Sequence, residues 1–204
     1  MKSTENSIQK TPLSERGKTN NNPNDISFIG LIREDFQTHD CDILEQGFWA
    51  VAVHRFGNWR MGIKLRLFRL PLSILYKIFY KLTEWFCGIS LPYTVKLGRR
   101  VRLWHHSGMI LHAESIGSDV HIRHNTTFGI SHTHRNEELP VIGNRVDIGC
   151  GSCILGNVSV GDDAVIGANA VVIRNVPANA VVGGVPAKII QLKTTSGMAK
   201  EKLK

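Results

Sequence analysis

"VIGNRVDIGCGSCILGNVSVGDDAVIGANAVV", residues 141–172, repeats every six residues. Ile142, Ile148, Ile154, Val160, Ile166 and Val172 are large and apolar. Four positions after each stand Val146, Ser152, Val158, Ala164, Ala170 and Val176, all small or β-branched. Upstream, Leu97, Leu103 and Met109 continue the first series; Val101, Ser107 and Ala113 continue the second. After one extra residue the pattern resumes at Ile116, Ile122 and Phe128. A six-residue period fits neither a helix nor a simple alternating strand. It fits a solenoid of short strands with the large residue pointing inward, three hexads to a coil. Glycines after the inward residue, as in "IGNRV" and "VGDDA", suit tight corners. Stacked coils share one continuous core.

Around that solenoid the chain is modest. It has 204 residues, 21% charged and 42% hydrophobic, with a formal net charge of +8. The composition is that of a soluble globular protein, and the charge favours an anionic ligand, polymer or membrane surface without choosing among them. Residues 1–26 are polar and Asn-rich, and are expected to be a disordered tail. Residues 27–90 read as three helical patterns: 27–38, about 44–59 and about 67–86, with a start or bend near Pro71. The β-domain is expected over 91–192 and a flexible tail over 193–204. No apolar leader core precedes the helices, and no run of 18 apolar residues marks a membrane span. Cys150 and Cys153 have CxxC spacing, but no second pair completes a zinc site. With Cys41 and Cys87 they read as reduced packing residues of a cytoplasmic protein.

The third helical pattern has two readings. Leu75, Ile78, Phe79, Leu82 and Phe86 form an apolar stripe, with Arg66, Arg69, Lys77 and Lys81 nearby. It packs on its own protein or a sister subunit, or it lies at the inner face of a membrane.

Residues 97–190 resemble the left-handed β-helix of hexapeptide-repeat acyltransferases, in the serine acetyltransferase-like branch that includes exopolysaccharide and colanic-acid acetyltransferases. "ILGNVSVGDDAVIGANAVVIRNVPANAVVGGVPAKII" is similar to that branch's last repeats and closing segment, and "GFWAVAVHRFGNW" to the helical segment before the coil. The resemblance implies a homotrimer, acetyl-CoA as donor, and a site between neighbouring coils. Its partners are then sister subunits, acetyl-CoA and a hydroxyl acceptor, not nucleic acid.

The resemblance puts the family's catalytic histidine at His105, in "RLWHHSGMILHAE", residues 102–114. A hydroxyl is a poor nucleophile toward a thioester near neutral pH. An imidazole can take its proton and then protonate the leaving thiol, an effect typically worth ~10²–10⁴-fold. Repeat arithmetic supports the position. His105, His124, Cys150 and Ala168 each follow an inward residue by two and should form one column, with His106, Asn125, Gly151 and Asn169 beside it. Small residues lower in the column leave backbone amides for a pantetheine arm. The resemblance places coenzyme contacts in this lower region, which implies Cys150 and Ala168 as contacts, supported by Gly129 and Gly149. Lys188 in "GVPAKII" matches a basic position near the end of the family's coil, where it either meets a coenzyme phosphate or is a solvated surface lysine. Trp104, His106, His124 and Asp40 are the candidate acceptor contacts, with solvent-facing or stacking roles open for both histidines. His112 and His121 read as structural or surface residues. His132 and His134 fall in "GISHTHRNEELP", a break too long for the repeat and so an expected loop.

Sugar and serine compete as acceptors. Asp40 stands where serine acetyltransferases keep an acidic substrate residue. Against serine, Trp104 replaces the aspartate beside the catalytic histidine, Ser90 takes the place of the aspartate that orients it, and Glu138-Leu139 takes the place of an Arg-His pair. A tryptophan can stack on a sugar ring. A carbohydrate hydroxyl, on an exopolysaccharide or its precursor, is therefore the preferred acceptor. A zinc site of the carbonic-anhydrase kind would need three protein ligands around an open position, and the nine histidines do not follow that pattern; no metal is expected. A non-enzymatic scaffold is the remaining alternative.

Overall fold

The computed structural model describes residue 12, residues 15–132 and residues 138–193. Short strands and corners alternate along the chain and fall into three parallel sheets, matching a left-handed parallel β-helix of about five coils. The first sheet stacks Arg102–Trp104, His121–Arg123, Asp147–Ile148, Val165–Ile166 and Ala180–Gly183. The second stacks Ile89–Ser90, Met109–Leu111, Thr127–Gly129, Cys153–Leu155 and Val171–Val172. The third holds Lys96–Leu97, Ser115–Ile116, Val141–Ile142 and Ser159–Val160. The closing strand, Lys188–Leu192, turns back antiparallel on Ala180–Gly183.

The six-residue period is the period of burial. Leu103, Ile122 and Ile148 are in register and 0% exposed, and Ile166 continues the same column. Each such side chain contributes about 1.5–3 kcal/mol on leaving water. The left-handed corner positions are filled by Asn125, Gly151 and Asn169, residue types that tolerate positive φ.

The extra length sits elsewhere than the sequence suggests. The expected extra residue after Met109 is instead two additional residues before it and one fewer after, because Leu111, not Met109, pairs with Phe128. Met109 is buried as well, opposite Ile89. The additional pair is His105 and His106. Asn125 N donates to Ser107 O (3.1 Å), as Gly151 N does to His124 O (3.0 Å) and Asn169 N to Cys150 O (2.8 Å), so Ser107 continues the backbone ladder and the two histidines bulge from it.

Three helices cap the open end: α1 (Phe28–Thr38), α2 (Gln46–Trp59) and α3 (Arg66–Leu82), with a π-helical turn Thr83–Cys87 leading into the first strand. Ser27 caps α1 by accepting from Gly30 N (3.1 Å). α3 begins five residues before Pro71 and runs through it. Arg55 of α2 fastens the helices to the first coil. It donates to Asp35 Oδ2 (2.9 Å), Leu97 O (2.8 Å) and Gly98 O (2.5 Å), with both charged side chains 0% exposed. Desolvation pushes the Asp35 carboxyl up while Arg55 opposes it. At Gly47, a Cβ would lie 2.5 Å from Leu103 O, so only glycine lets α2 approach the strand that leads to His105.

Residues 15–26, which fall in the expected disordered tail, pack on the helices and the first coil. Arg16 pairs with buried Glu114 (2.6 Å), Asn22 donates to Arg55 O (2.9 Å), and Asp25 pairs with Arg99. These polar side chains are ordered by charge and amide partners rather than by apolar burial, which composition does not reveal. Of the tail expected over 193–204, Lys193 is described and its N–H donates to Asn179 O (2.8 Å), while residues 194–204 lie outside the described residues.

Candidate active site

His105 stands on the corner between the first and second sheets, in the left-handed conformation (φ 62°) and exposed. Its ring meets that of His124 on the next coil edge to face, with centroids 5.7 Å apart and planes at 68°. The ring contact of the expected column is thus present although the backbone ladder passes through Ser107. His124 Nδ1 is buried without a hydrogen-bond partner. His106 does not align with Asn125 as expected; Gly108 does, and a Cβ there would run into the Asn125 side chain. The bulge lifts His106 out of that column, leaving it exposed.

Below His124 the corner is lined by Cys150 and Ala168, in register two residues after Ile148 and Ile166. The inter-coil donors there are Gly149, Gly151, Gly167 and Asn169; the Cys150 and Ala168 amides fall between them, as alternation along a ladder requires. Gly149 allows the coils to close, since a Cβ on it would be 2.5 Å from Ala168 N. Lys188 pairs with Gly183 at the foot of the same corner and is exposed. Small residues, unladdered amides and a terminal cation fit a thin chain ending in phosphate.

Gly129 is not part of this corner. It ends the second sheet's strand Thr127–Gly129 and lines a groove of about 660 Å³ with Ile110, His112, Leu139 and Leu155. It lies at the far end of that strand from the His124 turn, because each face of the coil is followed by a corner and a new face.

Trp104 and Asp40 are joined by a residue the sequence reading passed over. Arg102 bridges both Asp40 carboxylate oxygens, at 2.8 Å to Oδ1, and lies 3.7 Å over the Trp104 ring. Its hydrogen bonds hold the exposed Asp40 carboxyl below the usual range. Trp104 Nε1–H donates to His121 Nδ1 (2.8 Å). Positions 102 and 104 share a face by strand alternation, the signal that could have found Arg102.

Ser90 does not contact His105. Its hydroxyl bonds Tyr80 (2.7 Å), Glu84 (3.1 Å) and His112 Nε2 (3.1 Å). Burial lowers the His112 pKa, with Glu84 opposing. Among the described residues no three histidine, cysteine, aspartate or glutamate side chains converge as a metal site. Their four cysteines are unpaired. His132 is described and exposed, whereas His134 lies outside the described residues.

A coiled β-helix with a histidine on an inter-coil corner is the architecture of a hexapeptide-repeat acyltransferase, and known proteins bear this out. No family model matches the chain. It is 34% identical over 144 residues to the putative colanic acid biosynthesis acetyltransferase WcaB of Escherichia coli, covering 70% of this chain and 86% of that protein. It is 34% identical over 145 residues to a serine acetyltransferase of Mycobacterium tuberculosis, covering 71% of this chain and 60% of the relative. A Helicobacter pylori serine acetyltransferase is 37% identical over 111 residues, 54% of this chain and 65% of the relative. The chain therefore spans about three-fifths to two-thirds of those serine acetyltransferases. In structure it superposes on serine acetyltransferase from Brucella abortus in complex with coenzyme A, with a TM-score of 0.69 at 25% identity over 88% of this chain and 80% of that one. The chain belongs to the acetyltransferase family that contains the colanic acid biosynthesis relative, and it shares that family's repeats with serine acetyltransferases.

Proposed function

We propose that the protein moves an acetyl group from acetyl-CoA to a hydroxyl, with His105 as general base. The His105–His124 corner carries this reading: an exposed imidazole heads a column of small residues that ends at a cation. His105 takes the hydroxyl proton as its oxygen attacks the thioester carbonyl, then returns a proton to the departing thiolate sulfur. Cys150 and Ala168 amides flank the coenzyme arm, with Gly149 giving clearance and Lys188 meeting phosphate. The coenzyme-A-bound Brucella relative supports the donor.

We propose a homotrimer packed side to side, in which the Gly129 groove of one chain faces the His105 corner of another. The exposure of residues 105–108 on the isolated chain supports it. Its working place is the cytoplasm, in keeping with four unpaired cysteines among the described residues.

For the acceptor, a carbohydrate hydroxyl is the first reading. Asp40 is already bridged by Arg102, so its charge is not held ready for an amino group, and Trp104 stands next to His105 with Arg102 over one face of its indole, leaving the other face for a sugar ring. Similarity to the colanic acid acetyltransferase supports this acceptor class. Serine is the second reading, favoured by the serine acetyltransferase relatives. Acetyl-CoA turnover against serine and a panel of sugars and glycans, with products identified by mass spectrometry, separates the two. Efficient serine turnover would overturn the carbohydrate assignment. No transfer to any hydroxyl, with coenzyme A unbound, would overturn the enzyme.

A further inference from the structure

Helix α3 is mounted with its polar side inward. Tyr76 is buried and its hydroxyl accepts from Tyr93 N (3.2 Å); Ser73 accepts from Arg60 (3.0 Å); Tyr80 bonds Ser90. The opposite side carries Leu67, Leu70, Ile74 and Ile78 at spacings of three and four, all more than half exposed, and Trp85 extends the stripe at 75% exposed. From Leu67 to Trp85 that stripe runs for roughly 27 Å at the helical rise. Phe68 and Phe86 widen it.

Charge decides what covers this face. Between residues 60 and 90 the chain has six basic residues, Arg60, Lys64, Arg66, Arg69, Lys77 and Lys81, and a single acid, Glu84. Lys64, Arg66, Lys77 and Lys81 are exposed. Two copies packed through α3 would bring these cations together. An apolar stripe with Trp and Phe, bordered by lysine and arginine, instead matches the interface of an anionic bilayer, where such a helix lies in the plane with its apolar side ~5–10 Å deep. Among the described residues no helix is long and apolar enough to cross the membrane.

We infer that α3 docks the protein on the surface of membranes containing anionic phospholipid. This goes beyond the acyl-transfer reading and stands or falls without it.

The test is flotation of the full chain with vesicles of phosphatidylcholine and phosphatidylglycerol, against phosphatidylcholine alone, with oligomer mass followed by light scattering. Binding to the anionic vesicles is expected, weakened by salt. Leu67→Glu with Ile78→Glu should abolish it while leaving thermal unfolding and mass unchanged, since both side chains are exposed. Lys77→Gln with Lys81→Gln should weaken it about 30-fold, from roughly fivefold per cation near the surface. Failure of the native protein to float with anionic vesicles overturns the inference. So does undiminished binding by the double glutamate variant. A drop in mass of that variant, with no vesicle binding by the native protein, assigns the face to a second copy instead.

Discussion

The His105 and His124 rings face each other across adjacent coils, 5.7 Å between centroids and 68° between planes, although their backbones do not share a ladder position. A two-residue bulge makes this possible. It frees His105 from inter-coil pairing and brings its imidazole against His124, in the turn that follows the next coil's strand.

That arrangement predicts a hierarchy. His105→Asn should preserve folding and acetyl-CoA affinity while slowing transfer roughly 10²–10⁴-fold, the range for losing a positioned base. His106→Asn should act mainly on acceptor affinity, read as KM. Near-normal turnover by His105→Asn, with a folded but inactive His106→Asn, would reverse the assignment.

His54 sets an acid limit on stability. It is fully buried, Nε2 donates to Val95 O (2.9 Å), and Nδ1 has no partner. Desolvation, aided by Arg55, pulls its pKa down from 6.5 to about 3. Between those values the unfolded chain binds a proton that the folded chain refuses, so stability rises with pH by about 1.4 kcal/mol per unit for this group. Urea unfolding at a series of pH values between 4 and 7 should show that slope. Burial lowers His39 as well and adds to it. His54→Gln should remove about one proton's worth of the slope; an unchanged slope would exclude His54 as its source.

The packing of residues 15–25 on the rest of the chain should matter to stability. Arg16 and Glu114 pair with side chains 8% and 3% exposed. Arg16→Ala leaves buried Glu114 with the more distant Lys96 (3.5 Å). The expected loss is about 3 kcal/mol, the lower end for breaking a buried pair. A chain beginning at Ile26 should lose at least as much, while its acetyl transfer below the lowered melting point persists. Thermal melts and turnover of both variants check this.

Gly149→Ala tests the closeness of the coils at the coenzyme column. Its Cβ would meet Ala168 N at 2.5 Å, backbone that cannot swing aside. A destabilisation of roughly 1–3 kcal/mol by overpacking is expected, together with weaker coenzyme A binding in calorimetry. Full stability and affinity would show that the coils part easily there.

By itself the sequence determined the solenoid, because a core shared by stacked coils needs a large apolar residue at each sixth position, and Ile142 to Val172 supply it. It also marked the helix ranges and the column of His124, Cys150 and Ala168, but it put His105 where the ladder holds Ser107. Tertiary structure decided what a period cannot express. Residues 105–106 bulge because the ladder accepts Ser107 in their place, which strand registry alone reveals. Gly129 falls on another face because faces alternate around the coil. Arg102 joins Asp40 to Trp104, and Arg16 reaches Glu114, through contacts between residues distant in the chain. Such ion pairs depend on where two side chains end in space, and no local pattern of charge or hydropathy carries that information.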